Sequence, residues 1–196
     1  MKYRDMKRID NLIESTSVVA VCNAAGQAVR SLTRDSREVA AGSCFFAVEG
    51  TAADGHLFIP QAVAAGAVAV VCQRLPETLS EEVCYVVVAD THAALADMAD
   101  AFYDHPSREL RLVGVTGTNG KTTTTCLVRH ILRQTLGVRV GLIGTIQNLI
   151  DETELETERT TPESCDVYRL LRQMADAGCR YGVMEVSSHA LALERV

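Results

Sequence analysis

A glycine-rich turn between an apolar segment and an amphipathic one constrains this chain more than any other feature. Residues 110–115 form a largely apolar run that predicts a strand, residues 114–123 read GVTGTNGKTT, and residues 121–135 predict an amphipathic helix. A strand that leads through glycines directly into a helix is typical of a strand–helix unit in a parallel sheet. We therefore expect an α/β fold.

The residue types in this turn suit the binding of nucleotide phosphates. Glycines let backbone N–H groups approach phosphate oxygens, and the N-terminus of the following helix adds partial positive charge. Lys121 would place an ammonium group on the outer phosphates as the candidate catalytic cation, and the Thr122 hydroxyl can ligate Mg²⁺. A plain tight turn is the alternative, but this composition favours ATP binding. The candidate ATP-binding residues are Gly117, Thr118, Asn119, Gly120, Lys121, Thr122 and Thr123.

The rest of the second half continues the order of strands and helices. Strands are predicted at residues 138–143 and 181–186 and a helix at 163–177, with an irregular acidic stretch before that helix. Continuous apolar strands joined by helices indicate a parallel sheet buried on both faces, whose ligands bind at the carboxyl ends of the strands. The glycine turn, the threonines before Pro162 and the segment 184–189 all lie near those ends.

Two further motifs carry polar groups near these ends. Glu185 interrupts an apolar strand, and a buried carboxylate is costly unless it is paired or binds a metal, so Glu185 is a Mg²⁺-ligand candidate beside Thr122. A hydrogen bond to loop amides or to a lysine is the alternative. Thr160, Thr161 and Pro162 precede a helix, where a threonine N-cap and a proline at the first helical position would be ordinary. Contact with a substrate is the other interpretation of these threonines.

The first half predicts a small α/β domain of its own. Its strands are expected at residues 44–48, 67–72 and 85–89, and its helices at 59–65 and 95–102. The polar segment 104–109 contains Pro106, which prevents continuation of the preceding helix. We therefore predict two domains, residues 1–105 and 106–196.

Composition excludes several classes of partner. A net charge of −6 and a pI near 5.4 give no general attraction to nucleic acid or to anionic membranes. No apolar run has the length of a signal peptide or of a membrane span, so we predict a cytoplasmic protein. The seven cysteines include no CxxC pair, which favours buried thiols over disulfides or a zinc site.

The spacing of the glycines narrows the class of protein. The common G-x-x-x-x-G-K-[ST] spacing requires glycine at Val115, whereas the glycines here stand at positions 114, 117 and 120. This form, with GTNGKTT inside it, resembles the ATP loop of the Mur ligase family, which also includes folylpolyglutamate and cyanophycin synthetases. In the first half, residues 33–37 (TRDSR), 42–50 (GSCFFAVEG) and 54–56 (DGH) resemble segments of the MurE-type members.

The resemblance implies a fold, an activity and a set of site residues. The fold is a small N-terminal α/β domain that binds the UDP end of a precursor, followed by the start of a P-loop ATPase domain with a mostly parallel sheet. The activity is the ATP-dependent ligation of meso-diaminopimelate or L-lysine to UDP-N-acetylmuramoyl-L-alanyl-D-glutamate in peptidoglycan synthesis. The implied roles are precursor contacts at Ser36, Thr160, Thr161, Ser187 and Arg195 and Mg²⁺ ligation at Thr122 and Glu185. His189 lies beyond a strand, where a lone histidine is usually structural, and orientation of the carboxylate or the phosphates is its other interpretation.

Members of this family continue with further ATPase segments and a domain for the incoming amino acid, so the chain resembles an N-terminal fragment. We expect such a fragment to be inactive alone and to associate or lose stability, whereas the full-length enzyme is expected to be monomeric. Two alternatives stay open. One is another amide ligase of the family, similar to folylpolyglutamate synthetases, and the other is a P-loop regulatory module without ligase activity.

Overall fold

The computed structural model describes residues 6–23, 26–50, 53–155, 157 and 160–194. The chain forms two compact units, Met1–Phe102 and Tyr103–Val196. The division follows Phe102, whereas the sequence places its boundary after residue 105.

The first unit is built on a five-stranded sheet. Its elements in chain order are β1 (Lys7–Arg8), α1 (Ile9–Ile13), β2 (Val18–Cys22), β3 (Ala28–Val29), β4 (Ser31–Thr33), β5 (Ser43–Phe46), a 3-10 helix (Gly55–Phe58), α2 (Ile59–Ala64), β6 (Ala69–Cys72), β7 (Cys84–Val88) and α3 (Thr91–Phe102). The strand order in space is β2-β7-β6-β5-β4, with parallel pairing from β4 to β7 and an antiparallel β2 at one edge. Strands β1 and β3 form a separate antiparallel pair.

The core of this unit lies around its central strands. Every residue of β5 and of β6 is buried, and Phe45, Val70 and Tyr85 pack in one apolar cluster. This burial on both faces is the physical reason why continuous apolar runs predict these strands, which the structure confirms with small shifts at their ends. The seven cysteines all lie among the described residues, and none of them forms a disulfide. Burial raises the pKa of the Cys72 and Cys84 thiols to about 11 each.

The second unit also contains a five-stranded sheet. Its elements are α4 (Pro106–Glu109), β8 (Arg111–Val115), α5 (Lys121–Leu136), β9 (Val140–Ile143), β10 (Asn148–Ile150), β11 (Thr153–Leu155), α6 (Ser164–Asp176), β12 (Tyr181–Glu185) and α7 (Ser188–Ala192). The strand order is β11-β10-β9-β12-β8; β9, β12 and β8 run parallel, and β10 and β11 are antiparallel additions. The predicted α/β class with mostly parallel sheets is confirmed.

The acidic stretch that the sequence predicts to be irregular is in part the hairpin β10–β11. Its turn passes through Asp151, whose φ of +54° lies in the left-handed region. Arginines of α5 hold this turn, because Arg129 donates a hydrogen bond to the Asp151 carbonyl and Arg133 forms an ion pair with Glu152. Pairing with these basic side chains allows a strongly acidic segment to pack as a hairpin.

Burial in the second unit is deep on the inner side of α6 and shallow at the edge strand β8. The predicted apolar positions of α6 are buried, with Val167, Leu170 and Met174 in one cluster. The edge strand β8 is not buried on both faces as expected, since Leu112 is 41% exposed.

In the residues that the structure describes, no helix is long and apolar enough to cross a membrane.

Candidate functional site

Three neighbouring parallel strands of the second unit end at the same edge of the sheet. Strand β12 lies between β9 and β8, and its last residues pair with theirs, Glu185 with Val115 and Met184 with Ile143. The glycine turn follows β8, a short turn at residues 144–147 follows β9, and the loop to α7 follows β12. The polar groups of these three segments are therefore brought together at the position where parallel sheets bind ligands.

The glycine turn has the backbone conformation that a phosphate loop needs. Gly117 has a φ of +142° and Gly120 a φ of +80°, which side chains rarely adopt. Helix α5 then begins at Lys121 without a side-chain cap, so its first backbone N–H groups are available to an anion. Gly114 has a different role from the one expected of a loop glycine. It lies within β8, where an added Cβ would stand 3.2 Å from Val186 Cγ2.

The ammonium group of Lys121 lies over this turn. Its Nζ donates a hydrogen bond to the Gly117 carbonyl at 2.7 Å and lies 3.5 Å from the Thr118 carbonyl. These weak neutral acceptors can be exchanged for phosphate oxygens, which form stronger charge-assisted hydrogen bonds. The structure thus places the Lys121 ammonium group at the glycine turn, and its role as a phosphate-binding cation stays a prediction.

Glu185 is the buried charge at the centre of the site. The residue is 1% exposed, and its Oε2 accepts a hydrogen bond from the Thr122 hydroxyl at 2.9 Å. Thr145 supplies the remaining contacts, because its backbone N–H lies 3.0 Å from Oε1 and its hydroxyl oxygen 3.1 Å from Oε2. Gly144 leaves room for the carboxylate, since a Cβ there would stand 2.7 Å from Oε1. Sequence reasoning pairs Thr122 with Glu185 but misses Thr145.

The donor set at Thr122 and Glu185 fits Mg²⁺. Both side chains offer hard oxygen atoms, and these atoms are 2.9 Å apart. Among the described residues, no group of three or more His, Cys, Asp or Glu side chains could hold a metal ion alone. Mg²⁺ at nucleotide sites is held by one or two protein oxygens together with phosphates and water. A cation at this edge would therefore bind with the nucleotide rather than in a cage of protein ligands.

The two threonines before α6 occupy different environments. Thr161 is 2% exposed, donates its hydroxyl proton to the Glu185 carbonyl at 2.9 Å and accepts a hydrogen bond from the Ser187 N–H at 3.1 Å. Its hydroxyl thereby ties the loop before α6 to the end of β12. Thr160 is partly exposed, and its Oγ1 lies 3.0 Å from Thr145 Oγ1.

The ordinary helix-start interpretation of this segment is wrong in detail. The residue at the N-cap is Glu163, and α6 begins at Ser164, so Thr161 is not the N-cap and Pro162 does not occupy the first helical position. The physical reason is the pair of hydrogen bonds that commits the Thr161 hydroxyl to the end of β12. A precursor contact by either threonine stays a prediction.

The residues after β12 are arranged as a second helix start. Ser187 is the N-cap of α7, and its Oγ accepts a hydrogen bond from the Ala190 N–H at 3.1 Å, which leaves its hydroxyl proton for another acceptor. His189 is exposed and is not among the groups that hydrogen-bond Glu185 in the described part of the chain. Arg195 lies outside the described residues.

In the first unit, Ser36 lies on an ordered turn after β4. The backbone N–H and the Nε of Arg37 each donate to Asp35 Oδ1 at 2.9 Å. The side-chain hydrogen bond from Arg37 lowers the pKa of the Asp35 carboxyl to about 2. This turn holds the partly exposed Ser36 with its Oγ 3.4 Å from Gln61 Oε1, a weak contact that a ligand can replace.

The Asp-Gly-His segment joins the ends of two neighbouring strands. Asp54 Oδ1 accepts from the backbone N–H of His56 at 2.9 Å and lies 2.7 Å from its Nδ1, while His56 Nε2 accepts from the Gln73 N–H at 3.0 Å. These hydrogen bonds from His56 hold the pKa of the Asp54 carboxyl below its usual value. Gly55 packs against backbone, since a Cβ there would stand 2.5 Å from the Val48 carbonyl oxygen. The segments that follow β4, β5 and β6 thus form the carboxyl edge of the first sheet.

Models of two domains of one protein family match this chain. The Mur ligase family catalytic domain matches residues 28–103, and the Mur ligase middle domain matches residues 115–196. The chain belongs to the Mur ligase family.

Within that family, the chain is similar to the UDP-N-acetylmuramoyl-L-alanyl-D-glutamate--2,6-diaminopimelate ligase of Phocaeicola vulgatus. The two are 43% identical over 189 residues, which cover 96% of this chain and 39% of that protein. The chain therefore spans about two fifths of the length of this curated relative.

Two solved structures extend the comparison. A structure titled UDP-N-acetylmuramoyl-L-alanyl-D-glutamate--2,6-diaminopimelate ligase has a TM-score of 0.75 at 24% identity, covering 97% of this chain and 38% of that one, which supports the fold alone. The MurF ligase from Thermotoga maritima in complex with ADP has a TM-score of 0.53 at 25% identity, covering 82% of this chain and 32% of that one.

Proposed function

We propose that this chain supplies the precursor-binding and ATP-binding units of an ATP-dependent ligase that adds a diamino acid to UDP-N-acetylmuramoyl-L-alanyl-D-glutamate during peptidoglycan precursor synthesis. The observation that carries this proposal is the contact between Thr122, at the start of α5, and the buried Glu185 carboxylate at the end of β12. That contact gives a phosphate loop and a metal-ligand candidate at one sheet edge. The ADP complex of the related MurF ligase and the name of the Phocaeicola vulgatus relative support the choice of nucleotide and reaction.

In the proposed reaction, the side-chain carboxylate of the D-glutamate residue attacks the γ-phosphorus of ATP. The bond to the β,γ-bridging oxygen breaks, ADP leaves, and the acyl phosphate is then attacked by an amine of the diamino acid with loss of phosphate. Lys121 and the loop N–H groups would stabilise the charge that spreads over the transferring phosphoryl group. Bound Mg²⁺ would supply further neutralisation of phosphate charge, and Thr122 and Glu185 would hold it. No protein nucleophile is required.

The proposed reaction requires ATP, the UDP-linked precursor and a diamino acid as substrates. The nucleotide-linked precursor and ATP are small anions, and we propose that they meet the enzyme in the cytoplasm. The names of the relatives favour 2,6-diaminopimelate over lysine as the added amino acid. Ser187, whose hydroxyl proton is not needed by its helix cap, and Thr160 are the proposed precursor contacts beside the phosphate loop. Arg195 is proposed as a precursor contact from the resemblance alone.

The two alternatives are disfavoured by specific features. Folylpolyglutamate synthetases begin close to their phosphate loop, whereas 113 residues precede Gly114 here and include a unit with its own sheet. A P-loop switch would carry an aspartate after an apolar strand, whereas this strand ends in Glu185. A separate unit with its own sheet before the phosphate loop therefore favours a Mur-type ligase over both alternatives.

Ser36 offers a direct test of precursor binding. Ser36→Ala is expected to weaken binding of UDP-N-acetylmuramoyl-L-alanyl-D-glutamate about tenfold, roughly the contribution of one hydrogen bond to a charged group. ATP affinity should not change, because the phosphate loop lies in the other unit. Both affinities are measured by isothermal titration calorimetry.

Ser80→Ala is the matched control, since Ser80 precedes β7 at the opposite end of the parallel strands. It should bind both ligands as the wild type does. Equal loss of precursor and ATP binding in Ser36→Ala would indicate a folding defect. Unchanged precursor affinity would contradict the proposed role of Ser36.

A further inference from the structure

The turn after β9 contacts the metal-ligand candidate Glu185 through Thr145. Thr145 contacts both oxygens of the Glu185 carboxylate, through its N–H to Oε1 at 3.0 Å and through its hydroxyl to Oε2 at 3.1 Å. The turn itself is fixed by Asn148, a residue 4% exposed whose Oδ1 accepts from the Gly144 N–H at 3.2 Å. Thr145 therefore contacts both oxygens of the carboxylate, whereas Thr122 contacts Oε2 alone.

A carboxylate that binds a cation must be held in one orientation. A glutamate side chain has several rotatable bonds, and a buried carboxylate without fixed partners would sample geometries that do not face Thr122. Hydrogen bonds to ligating groups from neighbouring residues fix their geometry in metal sites and are worth about 10- to 100-fold in metal affinity. The N–H of Thr145 occupies Oε1, which leaves Oε2 as the oxygen that faces the Thr122 hydroxyl.

The Thr145 hydroxyl has a second possible acceptor. Its single proton can be donated to Glu185 Oε2 at 3.1 Å or to Thr160 Oγ1 at 3.0 Å. Donation to Thr160 would free a lone pair on Oε2 for a cation without leaving the hydroxyl unpaired. A serine at position 145 has a hydroxyl that can donate to either acceptor in the same way. A valine at that position has no hydroxyl and can donate to neither.

We propose that Thr145 is a positioning residue that fixes the Glu185 carboxylate for a divalent cation bound with the nucleotide. This role rests on the proposed function, since it requires a nucleotide at the glycine turn.

The test compares ADP binding with excess Mg²⁺ and with EDTA by calorimetry for the wild type, Thr145→Val and Thr145→Ser. Thr145→Val should weaken Mg²⁺-dependent ADP binding about tenfold and change the affinity in EDTA less than about twofold. Thr145→Ser should restore Mg²⁺-dependent binding to within about threefold of the wild type, because it keeps both the N–H and the hydroxyl. Thr135→Val is the control, as the Thr135 hydroxyl donates to the Ile131 carbonyl within α5.

Thermal unfolding of each variant accompanies the titrations, so that a folding defect is recognised. A normal Mg²⁺ response in the wild type together with an unchanged response in Thr145→Val would overturn the role of Thr145 alone. Equal losses with Mg²⁺ and with EDTA would also overturn it, because they indicate damage to the loop. If Mg²⁺ does not change the ADP affinity of the wild type, the proposed function and this role are both overturned.

Discussion

Replacing Lys121 by alanine is expected to weaken ADP and ATP binding by roughly 100-fold, because charge-assisted hydrogen bonds contribute about 1.5–3 kcal/mol each. Among the residues that the structure describes, the ammonium group hydrogen-bonds only to backbone carbonyls of its own loop, those of Gly117 and Thr118. Those exposed contacts contribute little to folding, so both units should stay folded. Calorimetry measures the affinities, and circular dichroism and thermal unfolding check the fold.

Lys7→Ala is the control for this prediction, since it removes a lysine charge from β1 in the first unit. It should leave nucleotide affinity within about twofold of the wild type. A Lys121→Ala protein that binds ADP as tightly as the wild type would show that the glycine turn does not grip phosphates, and the assignment of the second unit as an ATP-binding unit would fail.

Replacing Glu185 by glutamine is expected to abolish the increase in ADP affinity that Mg²⁺ produces, a loss of about tenfold or more. An amide is a poor ligand for Mg²⁺ compared with a carboxylate, while its shape is the same. The amide oxygen can still accept from the Thr145 N–H, and the amide nitrogen can donate to the Thr122 hydroxyl oxygen, which rotates its proton away. Folding and metal-free ADP binding should therefore be nearly unchanged.

Glu154→Gln provides the matched control, because Glu154 is an exposed glutamate on β11. Its Mg²⁺ response should equal that of the wild type when ADP affinity is titrated over a range of Mg²⁺ concentrations. A Glu185→Gln variant that keeps the full Mg²⁺ response would exclude Glu185 as the metal ligand. A variant that fails to fold would instead assign the buried carboxylate a structural role.

Elements with continuous apolar runs and helical spacing could be predicted from the sequence, and elements that depend on distant partners could not. Strand β6 and helix α6 are examples of the first kind, because their burial patterns follow directly from their own residues. The hairpin β10–β11 is an example of the second. Its acidic turn has no apolar signature and packs because Arg129 and Arg133 of another element pair with it.

The residues of the candidate site fall into the same two groups, those that a local sequence pattern indicates and those that depend on a distant partner. A glutamate that interrupts an apolar strand, and a threonine after Lys121, are local signals, and the structure brings Glu185 and Thr122 within 2.9 Å of each other. Thr145 carries no such signal, since its partner is 40 residues away in the chain and reaches it only through the pairing of β9 with β12. A Gly-Thr pair directly after a parallel strand is the one pattern that could have indicated it.

The pairing of a precursor-binding unit with an ATP-binding unit is the central claim of this account. The most direct measurement is calorimetric titration of the protein, with and without ADP and Mg²⁺, against UDP-N-acetylmuramoyl-L-alanyl-D-glutamate, the corresponding UDP-muramoyl-tripeptide and folate. We expect the dipeptide precursor to bind most tightly, the tripeptide more weakly, and folate not at all. Preferential binding of folate would contradict this claim. Failure of both UDP-linked ligands to bind, while ADP binds normally, would contradict it as well.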